Sequence, residues 1–299
     1  MTRFLAGLHE CSAADYHADP CDAPSLSSSV AKILLDQSPL HAFMAHPRLN
    51  PDHEPDQRDD YDIGTACHAL VLEGEDSIVI VDAEDWRTKV AKQQRDAARA
   101  DGRIALLRKH YNDVLRMAVA LHEEVVASEP PSVLSMKHGV PEQCLIWQER
   151  NGIWCRARPD WLRNDHRLIA DYKTTTNAAP DAWIRSQLFG LGYDIQAAFY
   201  LRGLRAVFGH DAAWRWVVQE TKPPYAVSII APTPAVLALA DKKVERAIAI
   251  WGECLKAGLW PGYGTRVAWA DLPTWQEQKW LDRELRDEQE QQLNPMAAG

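Results

Sequence analysis

Apolar positions alternate with polar ones along residues 143–175 and recur every three or four residues over most of the remaining chain. This contrast divides the sequence into a strand-rich centre with helical flanks. Residues 143–148, 153–162 and 168–174 carry the β-branched and aromatic side chains of strands. Asn151-Gly152 supplies a tight hairpin turn between the first two, and Asn164-Asp165-His166 is turn chemistry between the second and third. An antiparallel meander is predicted. Side chains alternate faces along a strand, so Asp171 and Lys173 project on one side. A short turn brings Asp160, on the preceding strand, close to that pair.

The flanks read as follows. Residues 1–24 look irregular, with Pro20 and Pro24 as breakers. The serines at 25–29 offer N-caps for a helix over 30–35, ended near Ser38-Pro39, and a short helix over 40–45 follows. Residues 46–62, dense in Pro and Asp, read as an exposed loop. Residues 63–73 return to a helical pattern carrying His68, and 77–81 form a short strand. From 86 to 126 the spacing of Ile104, Leu107, Tyr111, Val114, Leu115, Ala118 and Leu121 is helical, closed by Pro130-Pro131. A helix over 183–207 bends around Gly190-Leu191-Gly192 and sets Gln196 and Tyr200 on one face. Strands at 214–220 and 225–230 precede a helix over 233–256, and the polar end at 276–292 reads as a solvated helix or a disordered tail. This order predicts an α/β or α+β domain, a mixed sheet flanked by helices. The organisation is an irregular 1–24, one domain over 25–265 and a polar tail over 266–299.

Composition narrows the function classes. A net charge of −9 and a pI near 5.7 argue against indiscriminate polyanion binding. The charge is unevenly spread, however: acids concentrate at 271–290, and Arg150, Arg156, Arg158, Arg163 and Arg167 crowd around the meander. No apolar run reaches the ~18 residues of a membrane helix, and the N-terminus lacks a secretory apolar stretch, so a cytoplasmic protein is expected. The six cysteines form no C-x-x-C pair and no ligand-like cluster, which predicts buried or incidental thiols. Core packing is the reading of Trp147, Trp154 and Trp161, with stacking on bases the alternative.

Two carboxylates and a lysine on one sheet face suit a divalent cation with an activated water beside it, the apparatus of phosphodiester hydrolysis. The lysine orients that water or, with its pKa lowered by neighbouring cations, helps deprotonate it. Asp-x-Lys alone is common on solvated strands. The company it keeps carries the signal.

Pro159-Asp160 followed by Asp171-Tyr172-Lys173 resembles the PD-(D/E)xK nuclease pattern. Gly64-Thr65-Ala66-Cys67-His68 is similar to the Gly-x-x-x-His helix of that superfamily's RecB-like branch, and Gln196-Ala197-Ala198-Phe199-Tyr200 to its Gln-x-x-x-Tyr motif. Within that branch the chain most resembles the RecE-type exodeoxyribonuclease VIII nuclease domains of phages and prophages, over roughly residues 25 to 260.

The resemblance implies a restriction-endonuclease-like core and a Mg²⁺-dependent exonuclease, with Mn²⁺ as a substitute and no iron–sulfur cluster. It acts on linear double-stranded DNA ends, 5′ to 3′, leaving 3′ single strands for phage-type recombination. His68, Asp160, Asp171 and the Tyr172 carbonyl are implied metal ligands, and Glu142 is a weaker candidate. Lys173 is implied as the catalytic lysine, with Gln196 and Tyr200 flanking it. A homo-oligomeric ring (trimer or tetramer), a RecT-like annealing partner and a bacterial host cytoplasm belong to the same implication. Arg156 and Arg158 share a strand face, and two readings stay open for them: bidentate phosphate contacts, or salt bridges to nearby acids. Two rival functions stay open as well: a nuclease for single strands or flaps, and a non-catalytic DNA-end-binding protein.

Overall fold

The structure is a computed structural model that describes residues 3–53, 63–126 and 133–293. The Pro130-Pro131 stop and most of the Pro- and Asp-rich loop lie outside the described residues. The chain divides into two compact units, residues 1–262 and 263–299.

In the first unit, β1 (Gly7–His9) and α1 (Ala13–His17) occupy the stretch expected to be irregular. Then come β2 (Leu26–Ser27), α2 (Ser28–Asp36), capped by the Ser27 hydroxyl at Val30 N, and α3 (Pro39–Met44), with Pro39 in its first turn. Next are α4 (Ile63–Leu72), β3 (Ile78–Val81), α5 (Lys89–Ala100), β4 (Ile104–Leu107) and α6 (Arg108–Leu121). The centre holds β5 (Gly139–Pro141), β6 (Cys144–Gln148), β7 (Trp154–Ala157), β8 (Trp161–Arg163) and β9 (Leu168–Thr175). The unit ends with α7 (Pro180–Trp183), α8 (Tyr193–Phe208), β10 (Ala213–Glu220), β11 (Val227–Ile230) and α9 (Pro234–Ala257). Among its described residues the second unit contains one helix, α10 (Thr274–Leu293).

Sheets mixed in direction and flanked by helices make this an α/β protein, as the element order predicts. The single meander does not form. Residues 153–162 break at Arg158-Pro159-Asp160, because proline has no N–H to continue a ladder. As a result β6 and β7 join a four-stranded sheet ordered β1-β6-β7-β2, and β8 and β9 join a five-stranded sheet ordered β11-β10-β9-β8-β5. The Asn151-Gly152 hairpin does form, pairing Gln148 with Trp154, and Gly152 has φ +84°. A second correction falls at Ile104 and Leu107. Their helical spacing belongs to a strand, β4, parallel to β3, because a run of four apolar residues has no period of its own.

The five-stranded sheet is covered on both faces. Along β9, Leu168, Ala170 and Tyr172 pack with Leu72, Met117 and Leu121 on the α4–α6 side. Ile169 packs with Ala197, Leu204 and Trp251 on the α8–α9 side. Parity therefore places Asp171 and Lys173 toward α8. Close approach locks β5 onto β8: a Cβ on Gly139 would lie 2.3 Å from the Trp161 ring and 2.6 Å from the Leu162 carbonyl oxygen. Cys11 and Cys144 are joined in a disulfide that ties the N-terminal segment to β6, which corrects the expectation for those two thiols. Cys21, Cys67, Cys155 and Cys254 are free and buried.

Candidate active site

The ladder between β8 and β9 stops at Trp161–Ala170, and the candidate site lies where it stops. Beyond that point the Tyr172 N–H has no strand partner on that side and donates instead to the Asp160 carboxylate at 2.8 Å. Asp160 itself follows Pro159, in the break between β7 and β8. Opposite it, just past β5, Glu142 has φ +56° and donates its N–H to the Asp160 carbonyl at 3.2 Å. A non-glycine residue in the left-handed region is uncommon and is retained where its surroundings over-determine it. Here Arg158 fixes both ends of Glu142: Nε donates to the Glu142 carbonyl at 3.2 Å, and the guanidinium pairs with the carboxylate at 2.5 Å.

His68 approaches from α4. Its Nε2 lies 3.2 Å from Asp160 Oδ2 and its Nδ1 3.8 Å from Glu142 Oε1. One donor atom from each of His68, Glu142 and Asp160 falls within 4.8 Å of the other two. Asp171 stands beside this cluster, fully buried. Its Oδ1 accepts from Gln196 Nε2 at 2.9 Å, and its Oδ2 is ion-paired with Lys173 Nζ at 2.6 Å. Tyr200, one turn further along α8, is buried edge-on against Trp214, and burial, with the nearby Tyr16, Asp171 and Asp160, raises its phenol. The Tyr172 side chain packs against His68 and donates to Gln219, and Gln219 is anchored by the Met117 and Tyr225 carbonyls.

The electrostatics follow from crowding acids into a buried space. Burial raises the Glu142 carboxyl from 4.5 to about 7; the Asp160 charge adds to the rise and Arg158 opposes it. Burial also raises Asp171, against the pull of Lys173. For Asp160, burial is outweighed by His68 and Lys173, which hold it low. His68 is raised, because Asp160 and Glu142 outweigh its burial. The Lys173 ammonium is likewise held above its usual range by Asp171 and Asp160 despite desolvation. The expectation of a lysine lowered toward neutrality is thus not met, because Asp171 and Asp160 outweigh burial at its ammonium.

The donor set fits a divalent cation. Two carboxylates, a third beside them and one imidazole supply the oxygen and nitrogen ligand atoms that such a cation takes. Asp171 Oδ2 is buried, and the Lys173 ammonium lies 2.6 Å from it.

Two sequence expectations change. Arg156 is 4% exposed, and its guanidinium bonds the Tyr16 carbonyl and Ser25 and pairs with Asp19 at 3.3 Å. It is an interior clamp, not a phosphate contact, because the N-terminal segment folds over that strand face. Arg158 takes the salt-bridge reading, to Glu142. Trp147 and Trp161 are core side chains. Sequence reasoning missed Tyr193, whose ring centroid lies 5.1 Å from Lys173 Nζ. Its signal was its place three residues before Gln196, on the same helix face.

Comparison with known proteins agrees with this architecture. The family described as "PDDEXK-like domain of unknown function (DUF3799)" matches residues 27–272, and the chain belongs to it. No curated protein matches. Among solved structures, one from Eubacterium rectale described as "Putative exonuclease" is similar at 14% identity. It covers 88% of this chain and 96% of its own, with a TM-score of 0.52, a likeness of fold. A second, SSO0001, aligns at 13% identity over 62% of this chain and 85% of its own with a TM-score of 0.27, too low to argue from.

Proposed function

We propose that this protein is a divalent-metal-dependent nuclease that hydrolyses phosphodiester bonds of linear double-stranded DNA from its ends. The observation that carries the reading is the convergence of His68, Glu142 and Asp160 within 4.8 Å beside the Asp171–Lys173 pair. The membership in a PDDEXK-like family supports it.

His68, Glu142, Asp160, Asp171 and the Tyr172 carbonyl would hold the cation, with Mg²⁺ the proposed ion and Mn²⁺ its substitute. Bound there, a divalent cation offsets charge at the phosphate and lowers the pKa of a water. The protein's own part is positional. The Tyr172 N–H fixes the Asp160 carboxylate, and Gln196 fixes that of Asp171. Lys173 holds its proton and points an N–H at the attacking water or at a non-bridging phosphate oxygen. This placement lets charge develop against prepaid dipoles rather than against reorganising solvent.

Attack from the 5′ end, release of mononucleotides, a ring of three or four copies around the duplex and a single-strand annealing partner complete the proposal, by resemblance to RecE-type exonucleases. The test is digestion of end-labelled duplex with Mg²⁺ over time, with and without a blocked 5′ terminus, beside single-stranded, flapped and circular DNAs. Mg²⁺-dependent loss of the 5′ label from linear duplex, prevented by the block, is expected. Equal digestion of circular DNA, or none of any substrate, would reject the reading.

A further inference from the structure

A cation near the site that the nuclease reading leaves without a role is Lys32. It comes from α2, far from the central strands in sequence, and its side chain runs toward the start of α8. Its Nζ donates to the Leu191 carbonyl at 3.3 Å and lies 5.8 Å from the centroid of the Tyr193 ring. Lys173 Nζ lies 5.1 Å from the same centroid. The two ammonium groups therefore share one aromatic neighbour, and their separation cannot exceed the two distances combined.

The passage for Lys32 is built into the backbone. Gly192 has φ +65°, and a Cβ there would lie 2.5 Å from Lys32 Cδ. The residue that caps the start of α8 is thus small where the lysine stem passes. Unlike Lys173, Lys32 forms no ion pair among the described residues; its one hydrogen bond is to a backbone carbonyl. The acids near it have other circumstances. Asp194 is paired with Lys243 at 2.6 Å, Asp171 with Lys173 at 2.6 Å, and Asp36 is exposed. Burial and the Lys173 charge both lower the Lys32 pKa, so the charged form is held there at a cost that an added anion would relieve.

We propose that Lys32 is a substrate-binding residue whose ammonium contacts a phosphate oxygen of the bound DNA strand beside the bond that is cleaved. The inference rests on the nuclease reading and extends it to a residue outside the acid–lysine set. A phosphate fits better than a protein carboxylate because the neighbourhood already holds Lys173, and a polyanion satisfies both cations without displacing the Lys173–Asp171 pair.

Lys32→Met keeps the length of the stem under Gly192 and removes only the charge, and Lys32→Arg restores it. The probe is a short blunt-ended duplex: cleavage is followed with Mg²⁺, and binding is followed across a salt series with Ca²⁺ in place of Mg²⁺. Lys32→Met is expected to raise KM about tenfold and to lower the slope of log Kd against log salt by about one. The Mg²⁺ concentration for half-maximal rate stays unchanged, and Lys32→Arg recovers most of both losses. A packing role alone would not move the salt slope. Wild-type cleavage with KM and slope unchanged in Lys32→Met overturns this proposal and leaves the nuclease reading intact. A wild type that binds duplex with a Lys32-dependent slope but does not cleave it overturns the reading and leaves the contact. Neither cleavage nor binding overturns both.

Discussion

Replacing Glu142 with glutamine should change how metal-free stability depends on pH, in a way that depends on the site being an assembly of acids awaiting a cation. Glu142 titrates near 7 in the fold, against 4.5 ordinarily, because it is buried and faces Asp160. A folded pKa above the unfolded one means that the contribution of this group to stability is fully present below pH 4.5. It is lost as pH rises through 7. The rise from 4.5 to about 7 corresponds to about 3 kcal/mol. Glutamine mimics the protonated form at every pH and can still accept from Arg158, which contacts both the carbonyl and the side chain of Glu142. In urea unfolding with EDTA, wild type should therefore lose stability between pH 5 and pH 8 more steeply than Glu142→Gln, by up to about 3 kcal/mol. Added Mg²⁺ should restore wild type at pH 8 and barely affect the variant. Parallel pH profiles for the two proteins in EDTA would refute the reasoning, since the carboxyl would then titrate no differently folded than unfolded.

Lys173→Ala should fold and bind duplex DNA while losing about 10²-fold or more in Mg²⁺-dependent nucleotide release, measured in single turnover. His68→Ala should weaken Mg²⁺ binding about tenfold or more by calorimetry, and full retention of affinity would remove His68 from the ligand set. Asp19 is held near 2, against 3.8 ordinarily: burial opposes this, and the His46 hydrogen bond, Arg156 and Ser25 prevail. Its contribution of about 2 kcal/mol is present above pH 3.8 and lost as pH falls through 2. Asp19→Asn should thus flatten the acid limb of the stability curve and cost about 3 kcal/mol or more at pH 7, by leaving Arg156 without its buried partner. Gly139→Ala should cost about 1–3 kcal/mol in denaturant unfolding, because the added methyl meets the Trp161 ring and the Leu162 carbonyl.

The features legible in the sequence were those set within a few residues. Strand parity alone put Asp171 and Lys173 on one face, and they are ion-paired there. Asn151-Gly152 marked its hairpin because few other residues tolerate that turn. The spacing of Gln196 and Tyr200 along α8 put them one turn apart, and Gln196 reaches Asp171. What the tertiary structure decided depended on partners distant in the chain. Glu142 joined the acids only because β5 pairs with β8 and ends opposite Asp160. Arg156 turned inward because Asp19, 137 positions earlier in the chain, is folded over it. The charge on Lys173 was equally undetermined: a lysine's pKa is a sum over neighbours in space, and a sequence orders neighbours only along the chain.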